Sequence, residues 1–162
     1  MKKLVLFTLL AIACSNLVSA DDSPFACPFE DLGWMKNTGD KYFLLPFGRD
    51  RYTLGLGDAQ TINIDKKNKI VKVWLNAVWS KEGKQSYIAG REQKLSNLGF
   101  SAYYLEYDLK NNKSRVLEIL EKSCKRDIIF RVNGGLPTNW KNIYPDTQEG
   151  AIAIELKKKY KL

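Results

Sequence analysis

The chain has no histidine among its 162 residues, and only three cysteines, two methionines and five prolines. The missing histidine excludes a Ser-His-Asp triad, a Cys-His dyad and any imidazole-bound zinc. Three cysteines are one short of a four-thiolate metal site. Long apolar runs are scarce as well. Leu4 to Ala13 is ten residues long, about half of what a helix needs to cross a bilayer core, and no later segment is apolar enough to do so. A phosphate-binding loop is absent too: Gly48, Gly55 and Gly57 are not followed by Lys-Ser/Thr. What remains is 44% hydrophobic and 27% charged residues, the balance of a globular domain.

The first twenty residues read as an export signal. Lys2 and Lys3 form a positive n-region, Leu4 to Ala13 an apolar core, and Val18-Ser19-Ala20 a cleavage site. A second processing site overlaps it. Ala11-Ile12-Ala13-Cys14 has the form of a lipobox, with Ala where Leu is usual, and would place a lipid on Cys14. The two alternatives are a periplasmic or secreted protein and an outer-membrane lipoprotein. Losing residues 1–20 removes two lysines and no acid, so the formal charge of +8 becomes +6. Cys27 and Cys124 then remain, and in an oxidising compartment a pair of cysteines suggests a disulfide. The alternative is two unrelated thiols.

The pattern divides into an irregular lead-in, residues 21–39, and one domain, residues 40–162. Pro24, Pro28, Gly33 and Gly39 break the lead-in, where Phe25, Phe29 and Trp34 are candidate anchors. Short strands are expected at Lys41 to Phe47, Arg51 to Leu56 and Thr61 to Ile64, with a turn over Asp65 to Lys69. Ile70 to Trp79 alternates most regularly, with Val71, Val73, Leu75, Ala77 and Trp79 on one parity. Gly83-Lys84 breaks the chain, and Tyr87 to Leu98 fits helix or loop. A hairpin follows, Ser101 to Leu109 and Lys113 to Lys122, turning at Asn111-Asn112. Its second strand puts Leu117 and Ile119 on one side and Val116 and Leu120 on the other. Arg126 to Val132 adds a strand, and Leu136-Pro137 ends regular pairing. Asp146 as N-cap with Glu149 three residues on predicts a helix from Thr147 to about Tyr160. The same segment also alternates at Ile152, Ile154 and Leu156, as a strand would. The fold class is α+β: an antiparallel meander with a C-terminal helix packed on it.

The residues nominate no catalytic site, cofactor or metal. Glu106 and Asp108 share a strand face, but that spacing on an exposed face is ordinarily solvation. Asp58 and Asp65 sit near turns for backbone reasons. Two basic clusters are the candidate binding patches: Lys66, Lys67 and Lys69 in one turn, and Lys157, Lys158, Lys159 and Lys161 in the tail. Acidic polymers or acidic segments of an extracellular protein suit them. Nucleic acid suits an exported chain poorly, although basic sheets with aromatics do stack bases. The competing explanation is a solvated basic surface.

Three features resemble the surface-adhesin protein E-like family of exported bacterial proteins. They are the Trp74 strand after the Lys-rich turn Asp65 to Lys69, the hairpin Tyr104 to Leu117, and Trp140-Lys-Asn-Ile143-Tyr-Pro145-Asp146-Thr147 before a terminal helix. The resemblance implies a non-enzymatic sheet-and-helix domain, with Trp74, Tyr107 and Trp140 as scaffold. It implies a protein partner, either a host matrix or serum protein or, for a housekeeping or inhibitor-type protein, another envelope protein. Inhibition of the common lysozymes fits less well, because they are basic and so is this chain. The family pattern has Cys after the hairpin Asp and a second near the C-terminus. Here the first position is Leu109 and the last 38 residues hold no cysteine, so Leu109 is expected to pack against Ile152 or Leu156 instead.

Overall fold

The computed structural model describes residues 25–28, 42–44, 53–58, 61–89, 91 and 95–162. The signal, Cys14, Phe29 and Trp34 lie outside them. The elements are β1 (Tyr42–Leu44), β2 (Thr53–Asp58), β3 (Asn63–Asp65), β4 (Ile70–Trp79), α1 (Lys81–Ile88), β5 (Leu98–Asp108), β6 (Lys113–Ser123), β7 (Ile128–Val132), β8 (Lys141–Asn142) and α2 (Gln148–Tyr160). The fold is α+β. The sheet runs β1-β2-β4-β5-β6-β7, a meander through its centre, with β3 beside the start of β4 and β8 beside the start of β6. All pairings are antiparallel.

The alternation of β4 decides which face is covered. Val71 lies opposite Tyr107, Val73 opposite Leu105 and Leu75 opposite Tyr103, and opposed residues share a face. Onto this helix face α2 lays Ile152, Ala153 and Leu156, which join Val71, Val73, Leu75, Tyr107 and Leu109 in one core cluster. Each large aliphatic side chain so buried contributes about 1.5–3 kcal/mol. The same face carries α1 farther along, where Trp79, Leu95 and Leu98 pack with Tyr87 and Ile88. The opposite face carries Lys72, Trp74, Asn76 and Val78 against Glu106, Tyr104, Ala102 and Phe100. No described helix covers it. At one end Cys27 packs there with Val78 and Phe100.

Three sequence expectations need correction. Gly83 does not break the chain. It is the third residue of α1, buried, and its N–H donates to the Ser80 hydroxyl that caps the helix. The cap of α2 is Thr147 rather than Asp146: the Thr147 Oγ1 accepts from Gly150 N at 3.1 Å. Asp and Thr are both good caps, and sequence does not rank adjacent ones. Simple alternation in β6 fails because Tyr104 faces Glu118 while Leu105 faces Val116. Leu117 is the extra residue of that bulge, so Val116 and Ile119 share the helix face. Of the aromatic residues expected as scaffold, Tyr107 is wholly buried, while Trp140 is 38% exposed with Arg115 over its ring.

Candidate functional site

Three chain segments converge at one pole of the sheet. β4 starts there at Ile70, opposite Asp108 at the end of β5, which in turn faces Lys113 at the start of β6. The β3–β4 turn brings Lys66, Lys67 and Lys69, and the β5–β6 turn brings Lys110 and Lys113, all exposed. The two turns are joined by the Leu109 N–H, which donates to Lys69 O at 3.0 Å. The last turn of α2 arrives at the same place. Lys157 Nζ donates to Asn112 Oδ1 at 3.2 Å, while Tyr160 and Leu162 pack against the core cluster beside Ile64 and Leu109. Lys158, Lys159 and Lys161 follow, exposed. Two lysine clusters about ninety residues apart in sequence thus lie at the same end of the sheet, where Lys110 and Lys113 join them.

The acids at this pole are committed to the turns. Asp65 Oδ1 and Oδ2 accept from the Asn68 backbone N–H and side-chain amide at 3.0 and 2.7 Å. Asp108 does the same for Asn111, again at 3.0 and 2.7 Å. The Asn68 side-chain amide, then its backbone N–H, hold the Asp65 carboxyl below its ordinary pKa. At Asp108 burial pushes the carboxyl up, but the Asn111 and Lys110 hydrogen bonds and the Lys110 charge together bring it below the ordinary value. Both acids are therefore ionised at neutral pH, and lysines still outnumber them.

The backbone adds a second observation. Lys69 has φ 57° and Lys161 φ 51°, left-handed conformations in which glycine or asparagine is the inexpensive residue. Lys161 stands where helices commonly end on glycine. The helix dipole accounts for lysines in the last turn of α2. It does not account for lysine in a left-handed turn.

The other polar groups are structural in their geometry. Glu106 is buried rather than solvated, correcting the expectation for its face. Arg115 Nε donates to its Oε2 at 2.6 Å, and Lys72 Nζ lies 3.5 Å from Oε1. Trp140 covers Arg115, with the guanidinium carbon 4.5 Å from the ring centroid, a favourable cation–π contact. Asp108 faces the turn, so the two carboxylates do not act together. On the helix face the buried Glu121 accepts from Tyr87 OH at 2.7 Å and from the Ser101 hydroxyl, which also accepts from Trp79 Nε1 at 2.9 Å. Sequence patterning missed this cluster, because Glu121 alternates into the core as a charged residue in an otherwise β-forming run. Among the described residues, no three acidic or thiol side chains are grouped as a metal ion would require.

At the far end of the sheet Cys27 and Cys124 form a disulfide, Cα–Cα 5.4 Å, across 97 residues of chain. A bond of that span stabilises by up to about 4.7 kcal/mol in the chain-entropy model. Disulfides of this kind are typical of proteins in oxidising compartments. No described helix is long and apolar enough to cross a membrane. Compared with protein-family models, curated proteins and solved structures, the chain matches none of them.

Proposed function

We propose that the protein is a non-enzymatic exported bacterial binding module, of the surface-adhesin protein E-like kind, that grips an acidic partner with its lysine pole. The partner is an anionic polymer such as a sulfated polysaccharide, or an acidic segment of a host matrix or serum protein. The observation that carries this reading is the convergence of both basic clusters on one end of the sheet. A merely solvated surface has no need to collect its lysines, and like charges at close range repel. Left-handed lysines in the β3–β4 turn and at the end of α2 add to the argument. The disulfide and the export signal fit a protein that works outside the cytoplasm.

The test is binding of the mature chain to heparin at physiological salt. Reversing Lys66, Lys67, Lys158 and Lys159 to Glu is expected to weaken it at least about tenfold and to flatten its salt dependence. Reversing Lys81 and Lys125, away from the pole, should have little effect. No binding at micromolar protein, or equal losses in both variants, removes the reading.

A further inference from the structure

We propose that the cleft on the helix face binds a small uncharged molecule with an apolar body and a hydrogen-bond acceptor, seated over Tyr103 and Tyr107. The cleft has a volume of about 400 Å³ and lies on the sheet beside the first turn of α2. From the sheet it is lined by Leu75, Ala77, Tyr103, Leu105 and Tyr107, and Lys141 and Glu149 are among its other lining residues. Volume and composition are those of a small-ligand site, mostly apolar with a few polar groups.

The polar groups set the ligand's chemistry. Tyr107 OH is buried and has no hydrogen-bond partner. A buried hydroxyl with no partner is unfavourable, and an acceptor on a bound molecule would relieve it. Burial, and then the charge of Glu149, push the Tyr107 hydroxyl well above its ordinary pKa, so it stays a donor. Tyr107 itself lines the cleft, together with Gln148, Glu149 and Ile152 of α2. Among the described residues, three charged ones line the cleft, Arg115, Lys141 and Glu149. Arg115 is already paired with Glu106, and Lys141 and Glu149 carry opposite charges, which favours a neutral molecule over an anion or a cation. The site is independent of the lysine pole: α2 borders the cleft with its first turn and bears lysines on its last.

The test uses the mature, disulfide-bonded protein and three probes followed by amide NMR shifts. Ethyl benzoate has the acceptor, propylbenzene lacks it, and benzoate carries a charge. Ethyl benzoate is expected to saturate shifts at Leu75, Ala77 and Leu105 and to bind about fivefold tighter than propylbenzene. Benzoate should bind more weakly than the ester. Tyr107→Phe should bring ester and hydrocarbon to equal affinity. No saturable shift up to the ester's solubility overturns the proposal, and so do shifts confined to other surfaces or an unchanged preference in Tyr107→Phe. If that variant does not fold, the order of the three probes on the native protein decides: ester tightest supports the site, any other order sinks it.

Discussion

Lys157 Nζ donates to Asn112 Oδ1 across 45 residues of sequence, fastening the last turn of α2 to the β5–β6 turn. Asn112 does this from a left-handed backbone, φ 51°, so it serves the turn and the helix at once. Asn112→Ala is expected to cost about 1–2 kcal/mol, the left-handed penalty plus the lost bond. Asn112→Gly keeps the conformation and should cost less than half of that. Urea unfolding of the two variants separates the contributions, and equal losses would assign the whole effect to the side-chain bond.

Gly99 has its own constraint. A Cβ there would lie 2.6 Å from Cys27 Sγ, 2.7 Å from Cys124 N and 2.9 Å from Cys124 Cα. Backbone cannot give way as a flexible side chain does. Gly99→Ala should therefore cost about 1–3 kcal/mol, the range for overpacking, and should leave more free thiol. Thiol titration of the purified variant against the parent checks this. A fully oxidised variant of parental stability would show that β5 shifts freely at this point.

The Glu106 carboxylate depends mainly on Arg115. Arg115→Met leaves it facing Lys72 alone. Breaking a buried pair costs about 3–5 kcal/mol, and because Arg115 is 30% exposed solvent screening lowers that. We expect about 2 kcal/mol. Glu106→Gln together with Arg115→Met should recover part of the loss, because no unpaired charge is then buried. A thermal double-mutant cycle measures the coupling, and additive losses would mean that the pair does not interact.

Alkaline pH should unfold the protein through its tyrosines. Burial is the leading cause that raises Tyr87, Tyr103 and Tyr107, with the charge of Glu121 adding to it at the first two. A raised folded pKa means stability that is complete below the unfolded value, about 10, and that is lost as pH rises above it. Absorbance of phenolate at 295 nm is expected to show a late phase coincident with loss of near-ultraviolet circular dichroism. Full ionisation while the fold persists would contradict the burial of these rings.

Much of this architecture is legible in the residues. β4 matches its alternating run from Ile70 to Trp79, because one covered face imposes a strict period of two. The hairpin is readable from Asn111-Asn112, and α2 from its lysines and its four-residue spacing. Leu109 sits in the same cluster as Ile152 and Leu156, the packing expected of it from the sequence. Other parts leave no periodic trace. The Leu117 bulge shifts register by one residue without changing composition. α1 carries a buried glycine at its third position, a residue type that marks a break when read from sequence alone. The Lys66 and Lys157 clusters are visible separately, but their union depends on strand order, which alternation does not encode.

The disulfide and the lysine pole stand at opposite ends of the same strands. β6 begins at Lys113 and ends at Ser123, one residue before Cys124. At about 3.3 Å per residue the separation is roughly 35 Å. Whatever precedes Phe25 enters the domain at the cystine end, where Ala26 N–H donates to Trp79 O. A tether on that side would hold the molecule like a hand on a rod, presenting its cationic tip outward, with the sheet's length setting how far it reaches.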